Sequence, residues 1–376
     1  MASTFKNLSP NDKISTKTLL HEAIPLTGTI LSGTYGTNNI KEFSHGMFQS
    51  VYDYPYLSSS ANHIFDITFG FPSNSSLSAS SPVATALQSK KINLYNQMAQ
   101  VLVGYDKTGS VQQFDEDGNL ASGDKLKENI FLSFSRLLVK DEIKRGTFSM
   151  TIGVTGSYTD PFKETIEIRD QGAANEYRIN SPVGEYGILY ATGSGTVPMI
   201  ATGSAGVLSS DASLASFAPC GLIYYQAGVV VLSGSVFTRA ANGGILSNTV
   251  ISGSDTFDFG TTFTFSDAMT GSSINTAANL LRHRIKNIQF NNTVELNSSI
   301  YFCRINHNEY NYSSNPTYLS SSQIRVKASS ADNPVAYVTT VGLYSADNQL
   351  LAVGKLSEPL RKDPTIEYTL RARLDY

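Results

Sequence analysis

The residues best suited to hold a metal are His283, Cys303 and His307, with Glu309 two positions further on. Zinc sites use Cys and His pairs at close spacing, and Cys303-x-x-x-His307 supplies one such pair. No second close pair accompanies it, and Cys303 falls within an apolar strand pattern. The preferred reading is a small buried hydrophobe beside a surface histidine. Asp115-Glu116-Asp117-Gly118-Asn119 gathers carboxylates of the kind calcium takes. It lacks the spacing of an EF-hand loop and the distal bidentate Glu, so it reads as a tight turn. Nucleophilic catalysis would need a serine on a strand-to-helix elbow, whereas Gly193-Ser194-Gly195 and Gly203-Ser204-Ala205 sit in low-complexity connections. No Gly-Lys-Ser/Thr follows those glycines to form a phosphate loop. Only 5 His occur, so general acid–base candidates are scarce. The expectation is a protein that is not an enzyme, with no catalytic residue, no metal and no cofactor.

Tyrosines are the more informative side chains. Tyr52, Tyr54 and Tyr56 alternate around Asp53 and Pro55, and Tyr310, Tyr312 and Tyr318 lie near Asn311, Asn315 and Pro316. Flat rings with amide neighbours suit a sugar face, because each offers apolar area and a polar tip. The same residue type is enriched at protein–protein interfaces. These six tyrosines are taken as the candidate interface, with subunit contact preferred to saccharide binding.

The elements that must position them follow from hydrophobic period. Ile64 to Phe69 alternates as a strand, and residues 71–83 are dense in Ser, Pro and Asn, as an exposed loop would be. Ile92, Tyr95, Ala99 and Leu102 recur at helical spacing over Ser89 to Val103, with Gly104 as a stop. Leu126, Ile130, Phe134, Leu137 and Leu138 suggest a second helix from Asp124 to Lys144. Residues 60–146 then read as a helical pair decorated by a hairpin. After Gly146 the pattern turns to strands at Phe148 to Val154, Thr165 to Arg169 and Tyr186 to Tyr190, with a hairpin over Ile223 to Leu232. A short helix is expected from Ser273 to Leu281. Val294 to Arg304, Ile324 to Lys327, Tyr337 to Tyr344, Leu350 to Leu356 and the final Tyr368 to Asp375 complete the strands. The expected fold class is α+β, predominantly β. A helical or mixed N-terminal region (1–146) precedes antiparallel β-sandwich-like domains, a middle one at 147–285 and a C-terminal one at 286–376.

Composition narrows the partners. The chain has 376 residues, 41% of them hydrophobic and 16% charged, against roughly 25% charged in a typical domain. That balance excludes disorder. A net charge of -3 leaves no basic footprint for nucleic acid. The longest apolar stretch, Cys220 to Leu232, is interrupted and too short for a bilayer of ~20 residues, so no membrane partner is expected. Two distant cysteines and a polar Met1 to Asp12 fit synthesis in a reducing cytoplasm. A surface so poor in charge suggests that much of it is covered by neighbours.

The C-terminal block carries a likeness. Phe290-Asn291-Asn292, Ile300-Tyr301-Phe302-Cys303-Arg304 and Glu309-Tyr310-Asn311-Tyr312-Ser313-Ser314-Asn315-Pro316 resemble a segment of virion structural proteins of marine contractile-tailed (T4-like) bacteriophages. The hairpin Tyr337 to Ser357 and the terminal Leu370 to Tyr376 look like the same group. The likeness is clearest over 288–376 and looser at Met47 to Tyr56 and Ile223 to Leu232. It implies an assembled, non-enzymatic virion component, made in the host cytoplasm and located in the phage tail, at the baseplate or its periphery. The implied partners are other virion proteins and copies of the chain itself. A neck, collar or head-associated protein, or a tail protein binding cell-surface glycan, are the alternatives.

Overall fold

The computed structural model describes residues 5–24, 39–78, 86–120, 125–153, 162, 165–193, 199–200, 208–209, 218–234, 265–282, 284–312, 319–320, 323–324, 331 and 333–376. The strands are β1 (Lys13–Ile24), β2 (Ile40–Glu42), β3 (Gln49–Tyr52), β4 (His63–Gly70), β5 (Asn129–Phe134), β6 (Glu142–Ile143) and β7 (Ser149–Gly153). They continue as β8 (Thr165–Arg169), β9 (Arg178–Ser181), β10 (Gly184–Gly193), β11 (Met199–Ile200), β12 (Leu208–Ser209), β13 (Ala218–Tyr224) and β14 (Val229–Ser233). The last are β15 (Ile285–Ile305), β16 (Leu319–Ser320), β17 (Gln323–Ile324), β18 (Ala336–Tyr344), β19 (Leu350–Lys362) and β20 (Tyr368–Asp375). The helices are α1 (Ala86–Leu102), α2 (Arg136–Val139), α3 (Phe265–Thr270) and α4 (Ile274–Arg282). The protein is therefore predominantly β, with antiparallel registers between its described strands and helices in the minority. None of its described helices is long and apolar enough to cross a membrane.

Two compact units form. One is residues 21–294, the larger; the other joins residues 1–20 to residues 295–376. No unit boundary falls at 146, where one was expected. The reason is strand pairing: β7, just after it, pairs β15, and β5, well before it, is hydrogen-bonded between β4 and β14 in the same unit.

In the larger unit the strand order is β15-β7-β8-β10-β13-β14-β5-β4-β3-β2. Alternate residues divide between two apolar clusters, as the period of two requires. Phe65, Ile67, Ile130, Leu132, Phe134, Val230 and Leu232 enter one cluster, while Phe131, Leu222, Tyr224, Val229 and Val231 enter the other. The sheet is strongly curled. β5 and β15 are six places apart in hydrogen-bonded order, about 29 Å in a flat sheet at ~4.8 Å per strand. Yet the Phe134 and Phe290 rings are 5.1 Å apart, and Phe134 to Phe148 is 6.2 Å. Only a sheet folded over on its own apolar face brings these rings together, which gives the sandwich-like core.

α1 forms as its spacing predicts and buries Leu94, Tyr95, Ala99 and Leu102. Gly104, at φ +92, ends it, and the amides of Val103 and Gly104 both bond the Ala99 carbonyl. The helix lies directly on β4: a Cβ at Gly70 would meet the Tyr95 amide nitrogen at 2.8 Å and the Lys91 carbonyl at 2.9 Å. Lys91 is fully buried and donates to the carbonyls of Met269 (2.7 Å) and Ser272 (2.8 Å), fixing the junction of α3 and α4. The helix expected from Asp124 to Lys144 does not form over the described residues 125–144; β5, α2 and β6 occupy that span. Ile130-Phe131-Leu132-Ser133-Phe134 is apolar on both faces because β5 is a central strand with a core on each side. A continuous apolar run of this length fits a doubly buried strand as well as a helix, and the flanking strands decide. The predicted loop at 71–83 is only partly exposed, since Phe71 and Ser75 are buried; residues 79–83 lie outside the described part.

In the smaller unit β15 pairs β1 and, in antiparallel register from Ser298↔Asp375 to Ile305↔Tyr368, β20. β18 and β19 form a separate long hairpin, closed by Ser345 to Gln349 with Asn348 at φ 61. The turn matches the polar loop that the sequence predicts there. Of the expected strand at Ile324 to Lys327, Ile324 belongs to β17 and the rest lies outside the described residues.

Candidate functional site

The candidate tyrosines fall into two groups, one in each unit. Tyr52 ends β3, its ring 6.3 Å from Tyr56 and 5.4 Å from His63. Asp53 holds the following turn, accepting from the Asn62 amide (2.6 Å) and its side-chain nitrogen (2.8 Å). Tyr52 and Tyr56 are thereby half-buried in a small aromatic cluster, and Tyr54 alone stands out, 60% exposed. In the smaller unit, Tyr310 (φ 54) and Tyr312 project from the loop after β15. Lys362 is fully buried and clamps that loop, donating to the His307 carbonyl (3.1 Å) and Asn311 Oδ1 (2.6 Å). Both rings are left exposed, Tyr312 at 61%. Tyr318 lies outside the described residues.

Around the second group the structure places a cleft of about 810 Å³. β15 and β20 line it with Tyr301, Cys303, Ile305, Leu370 and Leu374, which share one face because Cys303↔Leu370 and Ser299↔Leu374 are register partners. The hairpin lines it with Val338, Thr340, Leu343, Tyr344 and Leu351, and Phe5 and Leu8 from the segment before β1 lie at it too. The Phe5 and Tyr344 rings are 4.5 Å apart. An apolar cleft of this size, left open in so small a unit, means that its two walls do not pack directly on each other.

The burial pattern sharpens this. Among the described residues of the smaller unit, Ile305 and Ala336 are the buried apolar side chains. Twelve of the twenty exposed large hydrophobics of the described chain belong to it, among them Leu350, Leu351 (68% exposed), Val353 and Tyr376. Few isolated hairpins survive in water without a third strand or a helix to pack on. β18 and β19 have neither as a hydrogen-bonded neighbour among the described strands.

The chemistry of the unit is that of ion pairs. Asp12 is held below the ordinary aspartate range by hydrogen bonds from the Ser9 hydroxyl (2.7 Å) and amide (3.0 Å), then by Arg304 Nε (2.7 Å). Glu309 is lowered chiefly by Lys6 Nζ at 2.5 Å. Burial raises the Cys303 thiol, so it is the protonated form that lies in the cleft. His307 turns its Nδ1 to Glu367 (3.2 Å), and no group of three or more metal-ligating side chains gathers among the described residues; His283 lies outside them. At the Asp115 turn Gly118 takes φ +75, and Asp115 is buried against Lys125 in an ion pair.

Sequence reading missed Asp12, Arg304, Lys362 and β1 itself. A signal was present in Ile14-Ser15-Thr16-Lys17-Thr18, rich in β-branched residues. Its pairing with β15, whose Ser299 lies 284 residues from Ser15, left none. Comparison of the chain with protein-family models, with curated proteins and with solved structures gave no match.

Proposed function

We propose that the chain is a structural subunit of a tailed-phage virion that works by assembly, positioned in the tail at the baseplate or its periphery. The observation that carries the assembly reading is the mismatch in the smaller unit. Among its described residues it has almost no buried apolar side chain and more than its share of exposed ones. Exposed apolar surface of this extent marks a contact surface, and obligate contacts bury about 2,000 Å² or more. The virion assignment rests on the likeness of residues 288–376 to phage virion proteins, a stretch that includes most of that same unit. The exposed Tyr310, Tyr312, Leu351 and Val353 are the residues offered to neighbours.

Sedimentation velocity of the purified chain tests the assembly reading. A concentration-dependent oligomer that dissociates in Leu351→Asp and Val353→Asp chains, with the fold of the larger unit intact by circular dichroism, is the expected result. A chain monomeric at every concentration overturns it. Gold-labelled antibody on purified particles tests the location, and particles lacking the protein would refute the virion reading.

A further inference from the structure

We propose that residues 5–24 are an exchange arm: in the assembled state the arm of one copy seats on β15 and β20 of a second copy. This inference rests on the assembly reading above and names the partner as a second copy of this chain.

The arm and its seat are complementary in charge. Lys6 meets Glu309 at 2.5 Å, Asp12 meets Arg304 at 2.7 Å, and Lys17 pairs with Glu295. Lys13 Nζ stands 5.9 Å over the Tyr301 ring, and the Ser15 and Ser299 hydroxyls are 3.2 Å apart. β1 also covers one edge of β15, an edge that would otherwise offer bare backbone groups to any passing strand. Residues 5–18 of the arm bring no core of their own. From Phe5 to Thr18 every side chain is exposed except that of Asp12. Lifting residues 5–18 therefore takes few side chains out of an interior, and seating them on an identical neighbour restores the same polar contacts.

Reach favours the same conclusion. Fourteen residues, 25–38, join the arm to β2, and a chain of that length spans up to about 46–50 Å when extended. Within an assembly a neighbouring seat is present at an effective concentration of roughly millimolar. A seat whose edge is bare without an arm, and an arm whose residues 5–18 are held mainly by polar contacts to that seat, together tie each copy to the next. β-strand addition of this kind draws its affinity from main-chain hydrogen bonds and its selectivity from the flanking charges.

The experiment uses two full-length chains with different tags, co-expressed with Cys303→Ser in both. One carries Ser15→Cys and the other Ser299→Cys; Cys220 is fully buried and does not compete. Exchange predicts a covalent dimer bearing both tags on a non-reducing gel. A second pair guards against an unreactive geometry. Asp12→Arg and Arg304→Asp chains, each unable to assemble alone, should regain the assembled sedimentation boundary when mixed, because each arm then finds its opposite charge on the other chain. Chains that assemble by sedimentation but neither cross-link nor rescue each other overturn the exchange and leave the assembly reading standing. Chains that never assemble sink both.

Discussion

The two units solve the problem of burial differently. Residues 21–294 wrap one sheet around its own apolar face and seal it with α1 and α4, so that nearly all the buried apolar residues among those described lie there. Residues 1–20 and 295–376 instead spread three paired strands and a hairpin with hardly any interior. Both are built from paired β-strands. The difference is that the first sheet meets itself, whereas the second keeps its apolar rows turned outward. The described residues of the first unit supply an interior of their own, whereas those of the second supply almost none.

The sharpest way to break this comparison is to truncate matched side chains. Phe134→Ala removes a ring that touches Phe65, Phe148 and Phe290, and should lower the stability of the larger unit by about 3–5 kcal/mol in urea unfolding. Leu351→Ala in the unassembled chain should change it by no more than ~0.5 kcal/mol, since that side chain is exposed. If Leu351→Ala proves as harmful as Phe134→Ala in dilute monomer, the contrast between the units fails. Next in size is Gly70→Ala. A Cβ there collides with the α1 backbone at 2.8 and 2.9 Å, and a loss of about 1–3 kcal/mol is expected by the same measurement.

Acid should separate the units by sign. Burial raises the carboxyl of Asp170 to about 6, against the opposing hydrogen bonds from the Gly146 amide, the Tyr225 hydroxyl and the Phe148 amide. The folded state thus holds this proton to higher pH than the unfolded chain does. Its contribution is full below the ordinary value of 3.8 and is lost as pH rises through about 6. Unfolding midpoints of the larger unit should therefore fall between those limits, and Asp170→Asn should flatten that slope. The carboxylates of the smaller unit behave oppositely. Asp12, Glu309 and Asp375 are lowered by Ser9, Lys6 and Ser298 respectively, so what they contribute at neutral pH is lost as pH falls through their depressed values. The smallest effect expected is a loosening of residues 5–24 in acid, below the ordinary carboxylate range, read as faster pepsin cleavage there than in the larger unit. Equal cleavage of both would contradict it.

Much of the fold was legible where structure is local. The alternations at Ser149–Gly153, Thr165–Arg169 and Tyr368–Asp375, the turn at Gly228 and the end of α1 at Gly104 all follow from residue type and spacing. Asn129–Phe134 was not legible, because a strand with a core on each face loses its alternation. The curl that joins Phe134 to Phe290 and the seat of β1 on β15 were equally hidden, since pairing between distant strands leaves no mark on either one alone. Of the candidate tyrosines, exposure separates Tyr54, Tyr310 and Tyr312 from the clustered Tyr52 and Tyr56, a distinction that depends on neighbours rather than on residue type.

The pairing of Ser15 with Ser299 across 284 residues also sets a timetable. On a ribosome working at about 5–20 residues per second, the arm leaves the tunnel roughly 15–60 s before its own seat has been made. During that interval the strands of the larger unit that precede β15 are made, and the arm has no strand of its own chain to join. Chains made side by side on one message would offer finished seats to unfinished neighbours.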